Sequence, residues 1–199
     1  ATNKSTNQNQ CRRGRTEANI PERRANSKQK QTSCQNQNHQ QTGSTGRIQE
    51  GVNLVSGSTV NVLAGKYTES VMVTKTISLT GAGRDNTTIV GTSPAVVITA
   101  NNTLLSGFTI SNTTADYGVW IKGANNVTII TNTILNNLWG IVAGYTSVES
   151  GALIRDNDIY SNTGGGGIYL GAGASGARIF HNNIYSNTTT QGYDSGSGN

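Results

Sequence analysis

Three stretches decide the reading of this chain: Asn-Thr-Ile-Leu-Asn-Asn at 132–137, Asn-Asp-Ile-Tyr-Ser-Asn at 157–162 and Asn-Asn-Ile-Tyr-Ser-Asn at 182–187. They place Ile134, Ile159 and Ile184 at spacings of 25 and 25, and Phe-Thr-Ile-Ser-Asn-Thr at 108–113 places Ile110 24 residues earlier. A fixed period of this length marks a stacked-repeat architecture. Each isoleucine is followed by a second short apolar run (Val119–Ile121, Ile141–Ala143, Ile168–Leu170) and a third (Val127–Ile130, Leu153–Ile154, Arg178–Phe180). Three strand-length runs per repeat describe one coil of a three-sided parallel solenoid. Coils stack at the inter-strand spacing of about 4.8 Å, so equivalent residues lie above one another. Ile110, Ile134, Ile159 and Ile184 therefore form one core stack. Asn132, Asn157 and Asn182, two residues before each isoleucine, form one asparagine ladder. Asn137, Asn162 and Asn187, three residues after it, form another. Stacked amides can bond along such a column and satisfy the buried backbone of the turns.

Upstream of Ile110 the same texture continues. Short β-branched runs at Val60–Val62, Val71–Val73, Ile77–Leu79, Ile89–Val90 and Val96–Ile98 alternate with turns rich in Gly, Asn and Ser, and no helical period is visible between 47 and 199. Residues 1–46 differ abruptly. Their only large aliphatic side chain is Ile20, too little apolar area to offset the entropy of ordering. The chain thus divides into a basic, Asn/Gln-rich extension (1–46) and a body (47–199). Residues 1–47 carry nine Lys/Arg against two acids, a net charge of +7, and residues 48–199 carry six against eight, a net −2. The basic pI near 9.4 is a property of the extension.

The quoted asparagine coils, together with Ala-Gly-Lys-Tyr-Thr-Glu-Ser at 64–70 and the Gly-Ala-Gly-Arg-Asp-Asn turn at 81–86, resemble the pectin-lyase-like right-handed β-helix repeat family, in particular its NosD-type surface proteins of methanogenic archaea. That resemblance covers about residues 50–199. It implies an all-β fold, a right-handed parallel β-helix of about six coils. It also implies an extracellular location, with a tubular sheath subunit as one role. The fold hosts lyases, hydrolases, adhesins and envelope proteins alike, so it does not by itself assign a function.

Cleavage of polysaccharides on such a scaffold needs carboxylates from neighbouring coils. Asp158 has Thr133 and Asn183 one coil away, and Asp156 has Thr131 and His181. The expectation is no catalytic residue. His39 and His181 lie far apart with no Cys or second His at ligand spacing, so no metal or cofactor is expected. Gly164–Gly167 precedes no helix and reads as a turn rather than a phosphate cradle. The candidate contact residues are aromatic: Trp120 and Tyr169 at one strand position with Val142 between them, and Tyr160 and Tyr185 stacked 25 apart. Such columns serve sugar rings or another subunit.

Cys11 and Cys34, the two cysteines, both fall in the extension; they are expected in disulfides, within one chain or between chains. Six Asn-x-Ser/Thr sites start at Asn3, Asn86, Asn101, Asn112, Asn126 and Asn187. The chain has no apolar run long enough to span a membrane. A start at Ala1 fits a secreted protein after signal-peptide removal. The sequence reading favours a structural surface protein that self-associates through strand edges and its basic extension, with no recognisable end cap. The alternative is a carbohydrate-binding or polysaccharide-cleaving domain. Specific nucleic-acid binding is not expected, because the basic segment lacks interleaved aromatics.

Overall fold

The computed structural model describes residues 48–199. The extension, with Cys11, Cys34 and their expected disulfides, lies outside the described residues. The chain opens with helix α1 (Ile48–Leu54) and then runs through coils of three strands. The first coil is β1 (Thr59–Val62), β2 (Gly65–Tyr67) and β3 (Val71–Val73); the second is β4 (Ser78–Gly81), β5 (Thr87–Gly91) and β6 (Val96–Ile98). The third is β7 (Leu104–Ser106), β8 (Thr109–Asn112) and β9 (Val119–Ile121), and the fourth is β10 (Thr128–Ile130), β11 (Thr133–Leu135) and β12 (Trp139–Ala143). After the short β13 (Glu149–Ser150) come β14 (Leu153–Arg155), β15 (Asp158–Tyr160) and β16 (Gly166–Leu170). After β17 (Ala174–Ser175) come β18 (Arg178–Phe180), β19 (Asn183–Tyr185) and β20 (Thr190–Asp194). Like strands pair in parallel into three six-stranded sheets: A (β1-β4-β7-β10-β14-β18), B (β2-β5-β8-β11-β15-β19) and C (β3-β6-β9-β12-β16-β20). Six strands per sheet give about five full turns of a parallel β-solenoid.

Alternation along each strand sends every second residue inward, and on sheet C this gives two columns, the second being Val73, Ile98, Ile121, Ala143 and Leu170. Sheet A contributes Val60, Leu79, Leu105, Ile129, Ile154 and Ile179 in register. Sheet B contributes Tyr67, Ile89, Ile110, Ile134, Ile159 and Ile184. Sheet C contributes Val71, Val96, Val119, Ile141 and Ile168, and ends in Gly192. Ile110, Ile134 and Ile159 are fully buried, and Ile184 is half-buried at the last level.

The corners between sheets explain the asparagines. Thr131, Asp156 and His181 turn from A to B, and Asn136, Ser161 and Ser186 turn from B to C; all six have φ between 53° and 58°. A left-handed residue at each corner strips the neighbouring backbone of ladder partners, and the asparagine that follows supplies them. Asn157 illustrates the set. Its Oδ1 accepts from the backbone N and Nδ2 of Asn132 (2.9 and 3.2 Å), and its Nδ2 donates to the carbonyls of Ile129 and Arg155 (both 2.9 Å) and to Oδ1 of Asn182 (2.9 Å). At the other corner Asn137 donates to Oδ1 of Asn162 from N and Nδ2 (3.1 and 2.9 Å), and Asn162 does the same to Asn187 (3.0 and 2.8 Å). A third, exposed ladder joins Asn101, Asn125 and Ser150 at the C-to-A corner (2.7 and 2.8 Å). The sequence reading passed over that one.

Helix α1 corrects the expectation of a wholly β body without a cap. Ile48 and Val52, one turn apart, are buried over the first coil. The Glu69 carboxylate accepts the N–H groups of Ile48 and Gln49 (2.6 and 3.1 Å), capping the helix N-terminus. The Lys75 ammonium bonds the carbonyls of Asn53 and Val55 at its other end (2.6 and 2.9 Å). The Gln49 amide pairs with both N and O of Met72, as another strand would (2.6 and 3.1 Å). Seven residues with a glycine inside and two buried apolar positions leave no readable period, which is why the sequence did not announce it.

Candidate functional site

Outside the solenoid, side chains from the in-between strand positions gather unequally. On sheet C the outward column reads Met72, Val97, Trp120, Val142, Tyr169 and Tyr193. Turns at its margins add Tyr117 and Tyr145, and the first residue of β12 adds Trp139. Tyr117 meets the edge of Trp120 (centroids 5.8 Å) and Tyr145 (6.3 Å); Tyr145 meets Tyr169 (5.9 Å); Trp139 meets Tyr169 (5.1 Å). Tyr169 stacks nearly parallel on Tyr193 (5.1 Å, 14°). Six rings from the last four levels thus form one continuous surface. Val142 points outward yet is only 1% exposed, because the rings close over it. The surface therefore packs as a second, smaller apolar layer. Its outer rim stays open, with Tyr145 and Tyr193 55% and 48% exposed.

Local glycines set the shape of this face. Gly118 lies just before β9, Gly140 and Gly167 are the second residues of β12 and β16, and a Cβ on Gly140 would lie 2.5 Å from the carbonyl of Gly167 and 2.8 Å from Ile159. Only hydrogen fits where adjacent coils approach this closely. Gly164 and Gly165 lie flat against Leu138 and the Trp139 indole, so one face of that ring is covered by backbone. The glycine run read as a turn is a turn over its first half, and Gly166 and Gly167 belong to β16.

Charge on the face is sparse. The Lys122 ammonium sits 4.6 Å from the centre of the Trp120 ring, a cation–π contact. Asp116, beside Tyr117, accepts that residue's N–H (2.7 Å). Burial foremost, then Tyr145, Asp116 and Tyr169, push the Tyr117 phenol above its ordinary value, so it is a neutral hydroxyl at physiological pH. The Trp120 indole N–H is buried without a partner among the protein atoms. Beneath the Tyr145 turn, buried Glu149 accepts from the N–H groups of Gly123 (2.7 Å) and Gly144 (2.5 Å) and from the Ser147 hydroxyl (2.6 Å). This carboxylate holds two turns of adjacent coils in place.

Sequence reasoning named Trp120 and Tyr169, and the structure puts both on this face. It missed Tyr117 and Tyr145, whose turn positions follow no fixed period, and Trp139, whose strand position is held by Gly166 in the next coil. It also missed Tyr193, 24 residues after Tyr169, on β20, which pairs with β16. Tyr160 and Tyr185 lie elsewhere, on sheet B, stacked in parallel at 5.0 Å.

The acidic residues gather near the A-to-B corner. Asp158 pairs with Arg84 (2.9 Å), which reaches it from three levels away. Asp156 pairs with Arg155, and the His181 ring lies 3.8 Å off. Each carboxylate faces a cationic side chain rather than another acid. No group of three His, Cys, Asp or Glu among the described residues is placed to hold a metal ion. Of the glycosylation motifs, Asn112 and Asn187 are buried in hydrogen bonds, and Asn86, Asn101 and Asn126 are exposed.

Residues 50–199 match the family described as the right-handed β-helix region. No curated protein sequence matches the chain. Among solved structures, an alginate lyase from Paenibacillus sp. str. FPU-7 is similar in fold, with a TM-score of 0.55 and 20% identity over 75% of this chain and 56% of the lyase. The chain thus spans about half the length of that enzyme.

Proposed function

The chain belongs to the right-handed β-helix family, and on that fold we propose that the outer face of sheet C binds an uncharged polysaccharide outside the cell. The observation that carries the reading is the aromatic surface of Tyr117, Trp120, Trp139, Tyr145, Tyr169 and Tyr193, open at Tyr145 and Tyr193. The apolar faces of pyranose rings stack on such side chains, and a few polar groups fix orientation. The levels from Trp120 to Tyr193 span about 14 Å at the strand spacing, room for a short run of sugar rings. One cation, Lys122, against the carboxylates of Asp116 and Asp194 gives the surroundings no positive excess, and the body carries a net −2. A polyanion would find no counter-charge here, which favours a neutral glycan.

Binding without cleavage is the expected activity, since Asp156 at the A-to-B corner and Asp158 on sheet B sit with their own cationic partners, away from this face. The likeness to a polysaccharide lyase is one of fold and leaves that expectation open to test. The second reading, growth by strand-edge stacking into a layer or sheath, draws support from the outer edges of β18, β19 and β20. It is opposed at the other end, where α1 and the Gln49 amide occupy the edge that a stacking neighbour would use.

Affinity electrophoresis of the whole protein through gels containing neutral glucans, mannans or polyuronates tests the proposal. Retardation by a neutral polymer, lost in Trp120→Ala and Tyr193→Ala with the fold intact, is expected. Retardation by polyuronates alone, or binding indifferent to both substitutions, would overturn it.

A further inference from the structure

The rings on the outer face of sheet C fall into two groups. Tyr117 and Trp120 meet at the third level (centroids 5.8 Å), and Tyr169 meets both Trp139 and Tyr193 at the later ones (5.1 Å each). Between the groups the outward position of the column is held by Val142, which has no ring. Tyr145 closes that gap. It meets Tyr117 on one side (6.3 Å, 78°) and Tyr169 on the other (5.9 Å, 81°), and among the described residues no other ring touches both groups. The continuity of the face therefore rests on where the side chain of one turn residue stands.

Packing from outside does not fix that turn, since Tyr145, Thr146 and Val148 are exposed. Its two ends are tied to the next coil: the Gly144 carbonyl accepts the Gly173 N–H (3.1 Å), and the Glu149 N–H donates to the Gly173 carbonyl (3.0 Å). Between those ends the brace comes from within, from the Glu149 side chain, which is buried. Its Oε2 accepts the N–H of Gly144, the residue before Tyr145 (2.5 Å), and its Oε1 accepts the hydroxyl of Ser147, two residues after it (2.6 Å). Oε1 also accepts the N–H of Gly123 in the preceding coil (2.7 Å). Gly123 follows Lys122, whose ammonium lies over the Trp120 ring. Burying a carboxylate is costly, and donors from two coils offset that cost here. One carboxylate thus joins the strand end beside Trp120 to the turn that carries Tyr145.

We propose that Glu149 is a positioning residue for this face: by holding Tyr145 in the gap at Val142 it joins the two ring groups into one track, which selects an extended chain of sugars lying across the coils over a short or terminal saccharide. The inference rests on the carbohydrate reading above. Two platforms reinforce each other only when one ligand can engage both at once, and the bridging ring supplies that geometry. A ring already fixed in place also spares the entropy of ordering it on binding. Without the brace Tyr145 is free to leave the gap, and each group then holds its own short segment of a chain. Selectivity for length is in this way set by a side chain that never touches the ligand.

Near-UV circular dichroism of the whole protein, with titration calorimetry against neutral gluco- and manno-oligosaccharides of trisaccharide and hexasaccharide length, tests the proposal. Glu149→Gln keeps the size of the side chain but leaves a single oxygen to face the donors. It should lose the near-UV signal of the ring cluster as far as Tyr145→Ala does, with the far-UV spectrum unchanged. In both variants the gain in affinity from trisaccharide to hexasaccharide should shrink by about tenfold. The double variant should bind the hexasaccharide no more weakly than the weaker single variant, because both changes remove the same contact. If Glu149→Gln fails to fold, Ser147→Ala, which removes one donor, should show the same changes at smaller size. Losses that add in the double variant, a length gain equal to the parent's, or an unchanged near-UV signal on weakening the brace would each overturn the proposal. A parent that binds none of these oligosaccharides would overturn the carbohydrate reading and the length selectivity with it, while the near-UV comparison still decides whether Glu149 holds Tyr145.

Discussion

Sheets A and B, with the corner between them, can be set against the side formed by sheet C. Over the last four levels the A strands repeat at 24, 25 and 25 residues (Leu105, Ile129, Ile154, Ile179), and so do the B strands (Ile110, Ile134, Ile159, Ile184). The C strands repeat at 22, 27 and 24 (Val119, Ile141, Ile168, Gly192). The asparagine ladders explain the regular side. An amide that bonds to the level above and below tolerates no insertion, since one extra residue would move it out of the column. Between the B-to-C ladder and the exposed Asn101–Asn125–Ser150 ladder at the C-to-A corner, the turns into and out of sheet C are pinned by no repeating amide, so their lengths drift, and the drift places Tyr117 and Tyr145 around the Trp120 and Tyr169 column. In this molecule the repeat that makes the fold legible is scaffold, and the departures from it build the candidate site.

The largest expected effect tests the scaffold. Ile159→Asp puts a carboxylate at the centre of a fully buried column and should cost more than about 4 kcal/mol, seen as loss of the cooperative β transition in thermal circular dichroism. A stably folded variant would contradict the core assignment. Asn157→Ala should cost about 3 kcal/mol, because it strands the Asn132 amide and two carbonyls in the interior. Asn125→Ala, on the exposed ladder at the C-to-A corner, should cost less than about 1 kcal/mol, water replacing its partners. Urea melts of the two variants measure the contrast directly; equal losses would mean that burial does not distinguish the ladders. The smallest effect is expected from two residues inserted after Gly57, in the exposed turn that leads into β1, with a stability change within about 0.6 kcal/mol on loop-closure grounds. The same insertion between Asn157 and Asn162 should abolish folding.

Much of this was readable in the residues. The period of 25 with isoleucine and asparagine at fixed offsets gave the parallel solenoid, the core stack and the ladder positions, because each coil must repeat its neighbour's contacts to stack at all. Trp120 and Tyr169 were readable for the same reason, lying on strands. Helix α1 was hidden by its length, and its caps come from Glu69 and Lys75, about twenty residues on in sequence. Gly192 was hidden because its meaning lies in departing from a valine/isoleucine column that becomes visible only once the coils are superimposed.

The sequence alone therefore determined the fold class, the inward and outward faces and the regular corners, all consequences of periodicity. Tertiary structure decided which turns come together on the sheet C face, how the acids are paired and how helix α1 covers the first coil. Those contacts join residues whose separations follow no period, and their energies depend on distance in space, which a one-dimensional pattern does not encode.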